Sequence, residues 1–306
     1  METNQIKRTL KNCTISGSVN ISEVNNRRLI SLYDYSKKMI EFYGDNAKVG
    51  LCFVIATFFK DIIAAKTDRF PILNLAGELS SKRIAMEYTL QSFFYPNAKY
   101  ISINHLNISS IKEAISATNN SLVVMDGYDN DLNLIKREFL KTLYDGIYYR
   151  RYSRFMEYKK ARRTQVGSGI VISGKNEATA DISLFSRFIF LFFEKTGLSE
   201  QEKVICNELG EMGCKDLTHI QYQILLLREM METYFDENLT HSIQDLKDEL
   251  FRQGAKVKDR ILYNWSILLA SFQTISIELS LPFCYTELLE IFSKFMICQS
   301  EKIKNI

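Results

Sequence analysis

Apolar residues in this chain follow two spacing rules that change places along its length. Between Arg28 and about Ala65 they recur three and four positions apart: Leu29, Leu32, Tyr33, Met39, Ile40, Phe42, then Val49 to Ile63. That is the spacing of one face of a helix, and its break near Gly44 predicts two helices. From 66 to 190 short continuous apolar runs take over, at 70–75, about 99–103, 121–125 and 169–173, with Phe188–Phe193 as a last one. Such runs, alternating with helical pattern, predict parallel strands buried on both faces. From Ser199 onward the pattern is helical again, with amphipathic stretches over Ile220–Tyr234 and Ile261–Leu281. Prolines stand only at 71, 96 and 282, so long helices are favoured. The expected organisation is a flexible N-terminal arm over 1–24, polar and rich in Asn and Ser, and a helical region over 25–66. An α/β core over 67–197 and a C-terminal helical lid over 198–306 follow. No internal repeat is visible.

Composition narrows this picture only slightly. The chain has 306 residues, 46% hydrophobic and 25% charged, an ordinary soluble balance. A net charge of +3 gives no bulk attraction for a polyanion, so any nucleic-acid affinity must come from local clusters. No eighteen-residue apolar window and no apolar leader core are present, so a cytoplasmic protein without membrane contact is expected. The six cysteines have no C-x-x-C spacing and the three histidines are scattered. That argues against zinc and for free thiols in a reducing compartment.

The chemistry begins where Phe70-Pro-Ile-Leu-Asn-Leu75 runs into the loop Ala76-Gly-Glu-Leu-Ser-Ser-Lys-Arg83 and a helix pattern follows. Some forty residues on, Ser121-Leu-Val-Val-Met125 delivers Asp126 at a strand end. Strand, phosphate loop, helix and a later strand ending in Asp is the skeleton of a P-loop NTPase. The expected class is therefore α/β, a P-loop NTPase (AAA+-like) core with a parallel sheet, N-terminal helices and a C-terminal helical lid. Against G-x-x-x-x-G-K-[ST] the loop reads Ala76, Ser81, Lys82, Arg83. Gly77, Ser80, Ser81, Lys82 and Arg83 are the candidate nucleotide-binding residues, with Lys82 reaching the β- and γ-phosphates. Arg83 stands where a Ser/Thr hydroxyl would ligate Mg²⁺, and a guanidinium offers a metal no acceptor. Asp126 is the candidate metal ligand for Mg²⁺, or alternatively a turn-forming Asp-Gly. The position after it, where such enzymes carry a catalytic Glu, is Gly127.

Two further clusters stand out. Residues 136–163 hold ten Lys/Arg against three acids, interleaved with seven aromatics. Cations for phosphates and rings for bases make Arg150, Arg151, Arg154, Lys159, Lys160, Arg162 and Arg163 a candidate single-stranded DNA surface. A solvated helix–loop face is the plain alternative. Arg187 follows the strand Gly169–Ser173, where oligomeric ATPases project an arginine into the neighbour's site. Ser173 and Asn176 fall where a polar sensor, or ordinary strand-end turn chemistry, would sit.

An ordered set of segments then resembles one family. The loop above, Val123-Val-Met-Asp-Gly-Tyr-Asp-Asn130, Phe139-Leu-Lys-Thr-Leu-Tyr-Asp-Gly146, Ser168-Gly-Ile-Val-Ile-Ser-Gly174 and Ala178-Thr-Ala-Asp-Ile-Ser-Leu-Phe-Ser-Arg187 continue into Asp216-Leu-Thr-His-Ile220 and Asp259-Arg-Ile-Leu-Tyr-Asn-Trp265. Over roughly 40–275 this resembles the AAA+ ATPase module of primase-helicase proteins of phages and mobile elements, notably in Bacteroides-like bacteria. Leu184-Phe-Ser-Arg-Phe188 also resembles the arginine-finger motif of minichromosome-maintenance helicases. The resemblance implies an ATP-driven ring threading DNA. Lys82, Asp126, Ser173 and Arg187 would take the Walker A, Walker B, sensor 1 and finger roles, and Arg260 a second sensor. The departures fall together: Ser-Lys-Arg for Gly-Lys-Ser, Asp-Gly for Asp-Glu, and Gly174-Lys-Asn176 for Gly-Gln-Glu.

The expected function is a replication-associated AAA+ ATPase/helicase-like protein of a mobile element, with impaired hydrolysis. It would bind ATP weakly, with Mg²⁺, and single-stranded DNA, in a ring-forming homo- or hetero-oligomer. The alternative is a catalytically inactive scaffold or regulatory subunit that assembles with an active paralogous ATPase.

Overall fold

The computed structural model describes residues 29–78, 80–150, 162–214 and 217–304, with backbone alone at 147–150 and 162–164. Ser31 caps the first helix, α1 (Leu32–Tyr43), its Oγ accepting from Asp34 N at 3.0 Å. Gly44, at φ +60°, ends it, the break expected from the pattern. Helix α2 (Asp45–Phe58) is buried from Ala47 to Phe58 and packs against α1, and α3 (Lys60–Thr67) closes the helical region.

The α/β part begins with β1 (Ile72–Ala76), followed by α4 (Ser81–Ser92), β2 (Lys99–Ser102), α5 (Ile108–Ser116), β3 (Leu122–Tyr128) and α6 (Leu134–Tyr144). A two-stranded antiparallel hairpin, β4 (Ile147–Arg150) and β5 (Arg162–Gln165), interrupts the alternation. Strand β6 (Gly169–Gly174), the one-turn α7 (Ile182–Phe185) and β7 (Phe188–Phe192) complete it. The sheet runs β2-β3-β6-β1-β7, all parallel. Strands β1 and β6 are buried at every residue, which is why their sequences read as unbroken apolar runs. Edge strand β2 is partly exposed.

Among the described residues five helices follow: α8 (Glu200–Cys214), α9 (Thr218–Leu225), α10 (Arg228–Arg252), α11 (Asp259–Ile275) and α12 (Tyr285–Lys304). The predicted single stretch Ile220–Tyr234 is thus two helices with a turn at Leu226–Leu227. Helix α11 is buried along nearly its whole length, with Trp265 at 0% exposure, and packs on α2, α10, α12 and β7. On α12, Gln299 Nε2 donates to the carbonyls of Phe185 (2.9 Å) and Phe188 (3.0 Å), fastening the helices to the entry of β7. Among the described residues no helix is long and apolar enough to cross a membrane. Cys52, Cys206, Cys284 and Cys298 are free thiols, whereas Cys214 is disulfide-bonded and departs from the free-thiol expectation.

Candidate functional site

The C-terminal ends of β1, β3 and β6 lie side by side, and parallel sheets place their ligands at such ends. Strand register sets Asp126 directly opposite Ser173, and the Gly77 amide donates to Gly174 O at 3.1 Å. Gly77 is required by close approach: a Cβ there would lie 2.2 Å from Phe193 O. Ser80 is the N-cap of α4, its Oγ accepting from Arg83 N at 3.4 Å. That amide is one of those a phosphate would take at a helix start. Ser81 opens the helix and is buried.

Consecutive residues of a helix project about 100° apart, and this separates Lys82 from Arg83. Lys82 turns away from the strand ends: its Nζ pairs with Glu202 Oε1 on α8 at 2.6 Å and lies over the Phe42 ring of α1. Arg83 turns inward. Its Nε donates to Gly77 O at 3.1 Å, and its Nη1 meets Glu87 Oε1 at 2.5 Å, the Ser173 hydroxyl, and Asp126 Oδ1 at 3.5 Å. Glu87, one turn on, is fully buried. It also accepts from the Ser173 hydroxyl, and from Tyr100 OH at 3.1 Å. Burial pushes its carboxyl up from 4.5 to about 7, opposed by the Arg83 charge and reinforced by Asp126. Burial and the two neighbouring carboxylates likewise raise the Tyr100 phenol well above its usual value. The spacing brought Asp126, Ser173, Gly77 and Arg83 to notice. It did not reveal Glu87 or Tyr100, whose only signal was a carboxylate four residues after Arg83 on the same helical face.

The position after Asp126, where a catalytic acid would be expected in a P-loop ATPase, is shaped by its backbone. Gly127 sits in a β-bulge at φ +92°, and a Cβ there would meet the Asn104 side-chain amide at 3.2 Å. Asp129 caps its own turn, accepting from Asp131 N at 3.0 Å, and so serves the chain locally.

Arg187 and Arg260 belong to the other end of the sheet. The Arg187 carbonyl accepts from Ile72 N at the start of β1, so its residue lies about 13 Å along the strand direction from Asp126 and Ser173. Its guanidinium covers the Tyr144 ring and donates to Ser183 O (2.8 Å) and Oγ (2.9 Å), while its Nε is buried without a partner. Arg260 Nη1 donates to Ser186 Oγ at 3.1 Å, beside Arg187 and not beside Ser173. The base of the β4–β5 hairpin lies at this same end, Val166 N donating to Gly146 O. Of the candidate DNA-binding residues, Arg151, Arg154, Lys159 and Lys160 lie outside the described residues. Arg150, Arg162 and Arg163 are placed by backbone only, on the hairpin strands.

In P-loop enzymes Mg²⁺ takes a strand-end Asp and a hydroxyl acceptor at the position corresponding to 83 here. Position 83 instead supplies a cation that already pairs with Asp126 and Glu87, so the residues present do not fit the metal. A triphosphate finds the Lys82 ammonium on Glu202 and the Gly77 and Arg83 amides engaged. Among the described residues no cluster of three or more His, Cys, Asp or Glu offers another metal site.

No family model matches this chain, and no curated protein does. Among solved structures it is similar to one described as "SCCmec type IV Cch - active helicase", at a TM-score of 0.57 and 12% identity. The likeness covers 87% of this chain and 51% of that one, so this chain spans about half the helicase's length. At that identity what is shared is the fold, which is helicase-like.

Proposed function

We propose that this chain is a replication-associated, helicase-like protein of a mobile element, built on a P-loop NTPase (AAA+-like) core whose own site is silent in hydrolysis. It acts by assembling with an active ATPase relative. One observation carries the silent site: the Arg83 guanidinium fills the space between Asp126, Glu87 and Ser173 while Lys82 is paired with Glu202. The P-loop reading is supported by a turn that leads from interior strand β1 into α4, by Asp126 near the end of β3, and by Ser173 near the end of β6, which lies between β1 and β3. The mobile-element part rests on the sequence resemblance. ATP binding is weak on this reading, because the lysine and two loop amides are otherwise engaged.

Arg187 supports the assembly. It stands at the opposite end of the sheet from Asp126, where it serves a neighbour's site better than its own, and it keeps one buried N–H unpartnered. An arginine supplied in trans is worth on the order of 10³-fold or more in rate. The test is the turnover of an active AAA+ helicase encoded on the same element, alone and with this chain. A rise with the wild type that Arg187→Ala removes is expected. Turnover unmoved by the wild type overturns the assembly.

Single-stranded DNA is the proposed nucleic-acid partner, through the basic, aromatic-rich segment bracketed by β4 and β5. Its binding should weaken with salt and with charge reversal at Arg150, Arg151 and Arg154. Binding indifferent to those reversals removes DNA from the proposal.

A further inference from the structure

Four oxygen acceptors converge on one guanidinium at the strand ends. They are the Glu87 carboxylate, the Asp126 carboxylate, the Ser173 hydroxyl and the Gly77 carbonyl. Two carboxylates, a hydroxyl and a carbonyl make the all-oxygen donor set that a hard divalent cation takes. In this chain the set is filled by a cation tethered to the backbone. A guanidinium group keeps its charge in proteins. The Arg83 side chain is only 10% exposed and that of Glu87 1%, so competing solutes reach the pair poorly.

We infer that Arg83 is a built-in cation that takes the place of a divalent metal. The wild-type cluster therefore excludes Mg²⁺ and becomes a divalent-cation site once Arg83 is shortened. The inference rests on the P-loop reading only for naming Mg²⁺ as the ion displaced. Its physical basis is charge balance. With Arg83 in place, one positive charge hydrogen-bonds Glu87 and forms a looser ion pair with Asp126 at 3.5 Å. Without it, the buried Glu87 carboxyl and the one-third-exposed Asp126 carboxylate are left without the cation between them, and neighbouring like charges favour uptake of a proton or a cation. Arg83→Ser also adds a second hydroxyl at the position from which P-loop enzymes ligate their metal.

The test uses Mn²⁺ alone as probe, with the full chain and no nucleotide, reading free Mn²⁺ by electron paramagnetic resonance. Wild type should leave Mn²⁺ free, and Arg83→Ser should bind one ion per chain. Adding Asp126→Asn to that variant should weaken binding on the order of tenfold or more. Arg83→Lys, which keeps a cation, should bind none. If Arg83→Ser does not fold by circular dichroism, Arg83→Gln, which removes charge with less loss of volume, goes through the same titration. Wild-type binding that Asp126→Asn removes overturns the inference. So does a folded, uncharged variant at position 83 that binds no Mn²⁺. Because nucleotide and partner are absent from the assay, its failure leaves the proposed assembly standing, and failure of the partner assay leaves this inference standing.

Discussion

Replacing Glu87 by Gln should change how the stability of this protein depends on pH, in a direction opposite to that of most carboxylates. Desolvation raises the Glu87 carboxyl from 4.5 to about 7 in the fold. Between those values the folded chain holds a proton that the unfolded chain has released. The contribution is therefore fully present at acid pH and is lost as pH rises through about 7. The gap between the two values is worth about 3 kcal/mol in full, of which about 2 kcal/mol falls between pH about 5.5 and about 8. Gln keeps an acceptor for Arg83 and a donor for its neighbours but cannot take up the proton. Urea unfolding of wild type and Glu87→Gln at the two pH values gives four free energies, and the wild-type-minus-variant difference should shift by about 2 kcal/mol in favour of wild type at the lower pH. Carboxylates with depressed values move the other way, notably Glu202, which a hydrogen bond from Lys82 holds at about 2. They are common to both chains and cancel in the difference. A difference that stays flat with pH would refute the buried, proton-holding Glu87.

Lys82→Ala should leave nucleotide-analogue binding unchanged and cost at most about 1 kcal/mol, the worth of a partly exposed ion pair. Loss of analogue binding in a titration would put Lys82 back on a phosphate. Gly127→Glu should not confer hydrolysis, and should cost roughly 1–2 kcal/mol for a side chain at positive φ. Turnover gained by that variant would show that the bulge tolerates a catalytic acid. Gly77→Ala drives a methyl toward Phe193 O, 2.2 Å from the new Cβ, and should lower the urea midpoint by the equivalent of about 1–3 kcal/mol. An unchanged midpoint would mean that the β1 loop moves freely.

The strands were legible because burial on both faces forces continuous apolar runs, as in Leu122–Met125 and Gly169–Ser173. Their ends were less so. Pro71 brings no N–H to a ladder, and pairing starts at Ile72. Strand β3 runs on past Asp126 through the Gly127 bulge. The β4–β5 hairpin escaped notice because its strands carry arginines and tyrosines where a buried strand would carry aliphatics. The turn at Leu226–Leu227 hides inside an apolar spacing that passes through it unbroken. At the site, motif spacing identified positions but not the rotation of α4. One helical step decides that Lys82 faces α8 and Arg83 faces the sheet, and only the packing of α1 and α8 against α4 settles it. Glu87 was invisible for the same reason, since its burial depends on which face of α4 meets β3 and β6.

ATP turnover by the purified chain, with Mg²⁺ and with and without single-stranded DNA, tests the proposed silence of the site most directly. A rate indistinguishable from buffer is expected for wild type, and equally for Lys82→Ala. Turnover above buffer that Lys82→Ala abolishes would mean that the lysine leaves Glu202 for a phosphate and that Arg83 does not close the site.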